Sequence, residues 1–168
     1  MGRWATPPLC AKPIYPIIMK LYIIYLRTME NSPEVRIIGA TTNMKKADDL
    51  YEQASREANE WMDGTNDDSG DWAEACMKSF DMTEDCKTGD TIYVFVETEW
   101  LECVETTIHP FLYKVSAESQ LKSRKQDYLE DYPNLEPLDA ETVKDAMSLE
   151  DPSIMIDVYF SIEEVVVE

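Results

Sequence analysis

Histidine is almost missing from this chain: 168 residues contain one, His109. The four cysteines stand at 10, 76, 86 and 103 with no CxxC pair and no second histidine, so a structural zinc is not expected. Glycine is scarce too. Its five copies are scattered, which excludes a Walker loop and a dinucleotide-binding turn. No serine is flanked by glycines, and the lone histidine has no recognisable orienting partner, which argues against a serine triad. A membrane span is also lacking. The apolar stretch from Ile14 to Leu26 is interrupted by Pro16 and Lys20 and is too short to cross a bilayer, and no small-residue cleavage site follows it. It reads as core.

Cations are the remaining deficit. Fifteen Lys and Arg face 34 Asp and Glu, a net charge of −19. The imbalance is uneven along the chain. Residues 1–62 hold seven acids and eight bases, whereas residues 63–168 hold 27 acids and seven bases. Direct binding to nucleic acid is therefore not expected. At 44% hydrophobic and 10% aromatic residues the chain is nonetheless rich enough to fold, and its length suits one domain. Residues 1–18, with Pro7, Pro8, Pro13 and Pro16 and no periodicity, read as a disordered or dispensable leader with Met19 as the functional start. Residues 19–168 then form a single α+β domain. Cysteines this widely spaced read as reduced thiols of a cytosolic protein, with a Cys76–Cys86 bridge as the alternative.

The pattern predicts strands over Lys20–Arg27 and Val35–Ala40, joined as a hairpin through Glu30-Asn31-Ser32-Pro33. A helix follows, capped by Asn43, with an apolar stripe of Met44, Ala47, Leu50, Tyr51, Ala54, Ala58, Trp61 and Met62. A short helix is expected from the Asp71 and Glu74 spacing to about Phe80. Thr91 to Trp100 alternates: Ile92, Val94, Val96 and Trp100 share one face, and Tyr93, Phe95, Glu97 and Glu99 the other. An extended stretch from Glu102 to Val115 should lead into a helix from Ser116 to about Tyr132 that buries Leu121, Tyr128, Leu129 and Tyr132. Another short helix is expected after Asp139, and a closing strand carries Ile154, Ile156, Val158, Phe160 and Ile162. These elements suit an antiparallel or mixed sheet of about five strands with helices packed on one face.

Motifs that could carry chemistry are weak. The loop 63–71 matches a calcium loop only in part, with Asp68 where the glycine belongs, so it reads as a solvated loop or a cation site. Cys103 and His109 could form a nucleophile and base, but six residues of extended chain separate them. Glu97 and Glu99 could act as a carboxylate pair or hold a metal. No cofactor is implied. What stands out is acidity in blocks: residues 88–113 hold Asp90, Glu97, Glu99, Glu102 and Glu105 with no Lys or Arg, and residues 127–151 hold nine acids, beginning with Asp127, Glu130 and Asp131, against Lys144. Such a one-signed field steers cationic partners and costs self-repulsion.

Lys20-Leu21-Tyr22-Ile23-Ile24, Ile37-Ile38-Gly39-Ala40, the helix start Asn43 with Lys45-Lys46-Ala47, and Gly89-Asp90-Thr91-Ile92-Tyr93-Val94 resemble small acidic α+β proteins of phages and mobile elements over about half the chain. That resemblance carries over no functional residue. It implies inhibitors of host nucleases and immune complexes, some acting as DNA mimics. The expectation is a non-enzymatic acidic protein that binds a basic surface on a nucleic-acid-handling partner through Asp90, Glu97, Glu99, Glu102, Glu105, Asp127, Glu130 and Asp131, an anti-CRISPR-like role. Alternatives are a small carboxylate-rich metal-dependent enzyme or a homo-oligomeric accessory protein.

Overall fold

The computed structural model describes residues 18–30, 32–64, 71–82, 86–100, 103–137, 148–151 and 156–168. Strand β1 (Met19–Met29) is apolar on both faces: Leu21, Ile23 and Tyr25 point one way and Tyr22 and Ile24 the other. A strand of that kind needs cover on two sides and partners on two edges. β2 (Pro33–Thr41) and β3 (Trp72–Met82) supply the edges, giving an antiparallel sheet of order β2-β1-β3. Helix α1 (Met44–Asp63) covers one face by packing Ala47 and Ala54 on Ile24. Its cap forms as expected: the Asn43 side chain accepts from the Lys46 N–H at 3.2 Å. Within the expected stripe the small residues are the buried ones, and Met44, Tyr51 and Met62 remain exposed.

The second sheet has the order β5-β4-β8-β7-β6 and is also antiparallel. It comprises β4 (Thr91–Trp100), β5 (Val104–Phe111), β6 (Glu136–Pro137), β7 (Leu149–Asp151) and β8 (Ile156–Val166). β4 repeats the logic of β1, with Ile92, Val94 and Val96 facing the first sheet and Phe95 facing helix α2 (Lys114–Asp131). Between the sheets, Leu21, Ile23, Tyr25 and Val35 meet Ile92, Val94, Val96 and Ile108 in one core. The layers therefore run α1, first sheet, second sheet, α2.

The end of the chain ties the sheets along one seam: the Glu168 N–H donates to Ala40 O at 2.8 Å and the Thr41 hydroxyl donates to Glu168 O at 2.7 Å. Within the second sheet, Gly89 N–H donates to Val167 O at 2.7 Å and Val167 N–H to Asp90 O at 2.8 Å, which prolongs the β4–β8 ladder. Gly89 has φ +94, which suits glycine in the turn entering β4. At the other seam Arg27 Nη2 donates to Val104 O at 2.8 Å.

Three expectations need correction. Residues 72–82 form a strand and not a short helix, because β1 needs a second ladder, and β3 provides eleven registered pairs from Met19↔Met82 to Met29↔Trp72. The expected single sheet is two sheets, and each helix covers the outer face of its own, because β1 and β4 are both two-faced. Leu129 is exposed, and Ala117 takes a buried place on α2 instead. The other strands fall close to their expected positions, while Ile154, the helix after Asp139, the expected leader 1–18 except Ile18 and most of the 63–71 loop lie outside the described residues. Cys76, Cys86 and Cys103 are thiols, so the Cys76–Cys86 bridge is not formed. No helix among the described residues is long and apolar enough to cross a membrane.

Candidate protein-binding surface at the acidic end of the second sheet

On the α2 side of β4, Phe95, Glu97 and Glu99 follow one another along one face. Phe95 anchors the helix. It stacks on Phe160 at 6.1 Å, and Tyr128 of α2 meets Phe160 edge-on at 5.9 Å. That docking carries the polar parts of Arg124 and Tyr128 onto the two glutamates. Arg124 Nε donates to Glu97 Oε2 at 2.8 Å and Nη2 to Glu97 Oε1 at 2.7 Å, a two-point pair that leaves Glu97 only 6% exposed. The Tyr128 hydroxyl lies 3.0 Å from Glu97 Oε1 and 2.8 Å from Glu99 Oε2. Having one proton, it donates to one carboxylate at a time. Burial first, then the bond to Glu99 and the fields of both glutamates, pushes its pKa well above the ordinary tyrosine range. The Glu97 bond likewise holds the Arg124 guanidinium firmly protonated.

Glu97 is thus a structural acid, clamped under α2, and is not part of an open face. Glu99 is half-buried and lines a polar cleft of about 160 Å³ with Arg124, Asp127, Tyr128, Asp131 and Tyr132. Glu105 of β5 is exposed directly opposite Glu99. Asp127 bonds to Arg124 at 3.3 Å, Glu130 accepts from Gln126 at 3.1 Å, and Asp131 ends the helix exposed. Asp90 does not join them. It caps the turn before β4 by accepting from the Lys87 N–H at 2.7 Å, roughly 30 Å along the strand from Glu99. Glu102 lies outside the described residues.

Sequence reasoning missed a second row of acids. Asp157 pairs with Glu150 and Glu150 with Glu136 in register across β8, β7 and β6, so three carboxylates stand side by side at steps of about 4.8 Å. None has a cationic partner among the described residues. The acids of the 127–151 block were visible, but their alignment depends on pairing between strands separated in sequence. Arg124 was missed for a related reason, although an arginine in so acidic a segment, four residues before a buried tyrosine, is the signal that could have found it.

Cys103 and His109 are both exposed at opposite ends of the β5 segment, roughly 20 Å apart along extended chain, so the thiol and imidazole do not form a pair. Among the described residues no three of His, Cys, Asp and Glu are grouped to hold a metal ion. No protein-family model, curated protein or solved structure matches this chain.

Proposed function

We propose that this protein binds, through the acidic end of its second sheet, a basic surface on a nucleic-acid-handling partner, and that it acts as a DNA-mimicking inhibitor of a host defence nuclease in a reducing cytoplasm. The observation that carries the proposal is the row Glu136–Glu150–Asp157. Like charges directly opposite across strands destabilise a sheet, so this arrangement opposes folding and calls for a use outside it. Two further features point the same way. Asp127, Glu130 and Asp131 crowd the C-terminal end of α2, where the helix dipole favours cations, and no basic residue stands in that last turn. Three charges over about 10 Å also come within a factor of two of one DNA strand, which presents one per about 3.4 Å of axis.

Inhibition of a panel of purified guided and restriction nucleases, measured at low and moderate salt, tests the reading. At least one nuclease should be inhibited, with an affinity that falls tenfold or more between about 0.05 M and about 0.2 M salt. The Glu136→Gln/Glu150→Gln/Asp157→Asn variant should lose most of that inhibition while remaining folded. Inhibition indifferent to salt and to the triple variant, or no inhibition across the panel, would exclude the proposal.

A further inference from the structure

Away from the acidic row, Tyr93 near the start of β4 and Ile162 and Glu164 late in β8 share the α2 side of the second sheet, with Tyr93 directly opposite Glu164. Lys114, Glu118 and Leu121 of α2 close over them and form a pocket of about 280 Å³. Tyr93, Leu121 and Ile162 make half-buried apolar walls, and Glu118 and Glu164 stand exposed at the mouth without an ion-pair partner among the described residues.

The chain's own arginines indicate what such a site accepts. Arg27 lies over the Trp72 ring at 5.1 Å and bonds Glu74, and Arg124 lies over the Tyr128 ring at 5.2 Å and bonds Glu97 and Asp127. Both sites combine an aromatic face with carboxylates beside it, the combination that holds a guanidinium. Tyr93 with Glu118 and Glu164 repeats it, with apolar walls added.

We propose that this pocket seats one arginine side chain of the basic partner, an inference that rests on the reading of the partner given above. The aliphatic stem runs along Leu121 and Ile162, the guanidinium faces Tyr93, and its N–H groups donate to Glu118 and Glu164. Tyr113 at the N-cap and Val115 in the first turn of α2, 61% and 70% exposed, offer apolar contact to the residues flanking that arginine. Among the described residues that line the pocket, Lys114 is the one opposing charge. A second copy of this chain is disfavoured as the occupant by its net charge of −19.

The test is an NMR titration of the isotope-labelled full chain with the capped peptide Gly-Gly-Arg-Gly-Gly, and with the same peptide carrying citrulline, which keeps the shape and loses the charge. Shifts from the arginine peptide should gather at Tyr93, Leu121, Ile162 and Glu164, with the citrulline peptide weaker by about tenfold or more. Glu118→Gln/Glu164→Gln should weaken the arginine peptide by a similar factor, and Lys114→Ala should tighten it. Equal binding of the two peptides, shifts confined to Glu136, Glu150 and Asp157, or weakening by Lys114→Ala would overturn the assignment, the last by pointing to an anionic or zwitterionic occupant. Nuclease inhibition that persists in Glu118→Gln/Glu164→Gln without pocket shifts rejects the pocket alone. Failure of the unaltered protein to inhibit the panel rejects the broader reading.

Discussion

Glu97 is the residue whose meaning changed most on folding. As one of a pair of strand acids it reads as exposed charge, and in the fold it accepts two bonds from Arg124 beneath a helix. Removing the cation should therefore cost more than a surface pair would. Arg124→Met is expected to lower stability by about 2–3 kcal/mol in urea unfolding, less than for a fully buried pair because the Arg124 side chain is 36% exposed. Two tyrosines set a pH limit. Tyr25 is pushed up to about 12, chiefly by burial and next by Cys76, and Tyr128 is raised by burial and its glutamates. An unfolded tyrosine ionises near pH 10. Both folded pKa values are raised, so the stabilising effect of each is complete below about pH 10 and is lost as the pH climbs through its folded value, about 12 for Tyr25 and higher still for Tyr128. Burial raises the Cys76 thiol too, so urea midpoints should begin to fall above about pH 8.5, where the unfolded thiol ionises, and fall more steeply above about pH 10, where Tyr25→Phe should reduce the slope. The alternation of Thr91–Trp100 was legible in the sequence, and it placed Glu97 and Glu99 on the right face. What covers that face was not, because Arg124 and Tyr128 reach Glu97 from 27 and 31 residues away, once Phe95 and Phe160 have docked the helix.

α2 is built against its own dipole. Lysine opens it and acids close it, and no side chain caps its start. Asp131→Lys is thus expected to raise thermal stability by a few tenths of a kcal/mol while weakening partner binding, opposite signs that calorimetry and the nuclease assay read separately. α1 is conventional by comparison. Its cap was readable from spacing, but of the expected stripe only the alanines are buried, while Met44, Tyr51 and Met62 stay exposed. Ala54 is fully buried against β1, so Ala54→Leu should overpack that contact and cost about 1–3 kcal/mol in urea unfolding. β3 was misread because Ala, Glu, Met and Lys suit helices when taken locally. The need of β1 for a second partner was stronger, and that need appears only when the sheet is assembled.

The molecule is two contiguous halves placed face to face. Among the described residues, the half through β3 carries 11 acids and seven bases, and the half from residue 86 onward carries 15 acids and five bases. Element types along the chain were largely readable, but their division between two sheets was not, since β1 and β4 each look like the centre of a single sheet. Mutual repulsion among the acids should make salt stabilising. Raising ionic strength from about 0.01 M to about 0.5 M, which shortens the screening length from about 30 Å to below 8 Å, is expected to lift Tm by several degrees in a thermal melt. The inter-sheet core that joins Ile23 and Val94 also separates weak charge from strong charge along the direction in which the layers stack. The protein is accordingly an electric dipole as well as an anion. A positively charged partner exerts a torque on it before contact and turns the more acidic half forward, so orientation is selected during diffusion and not by trial at the surface.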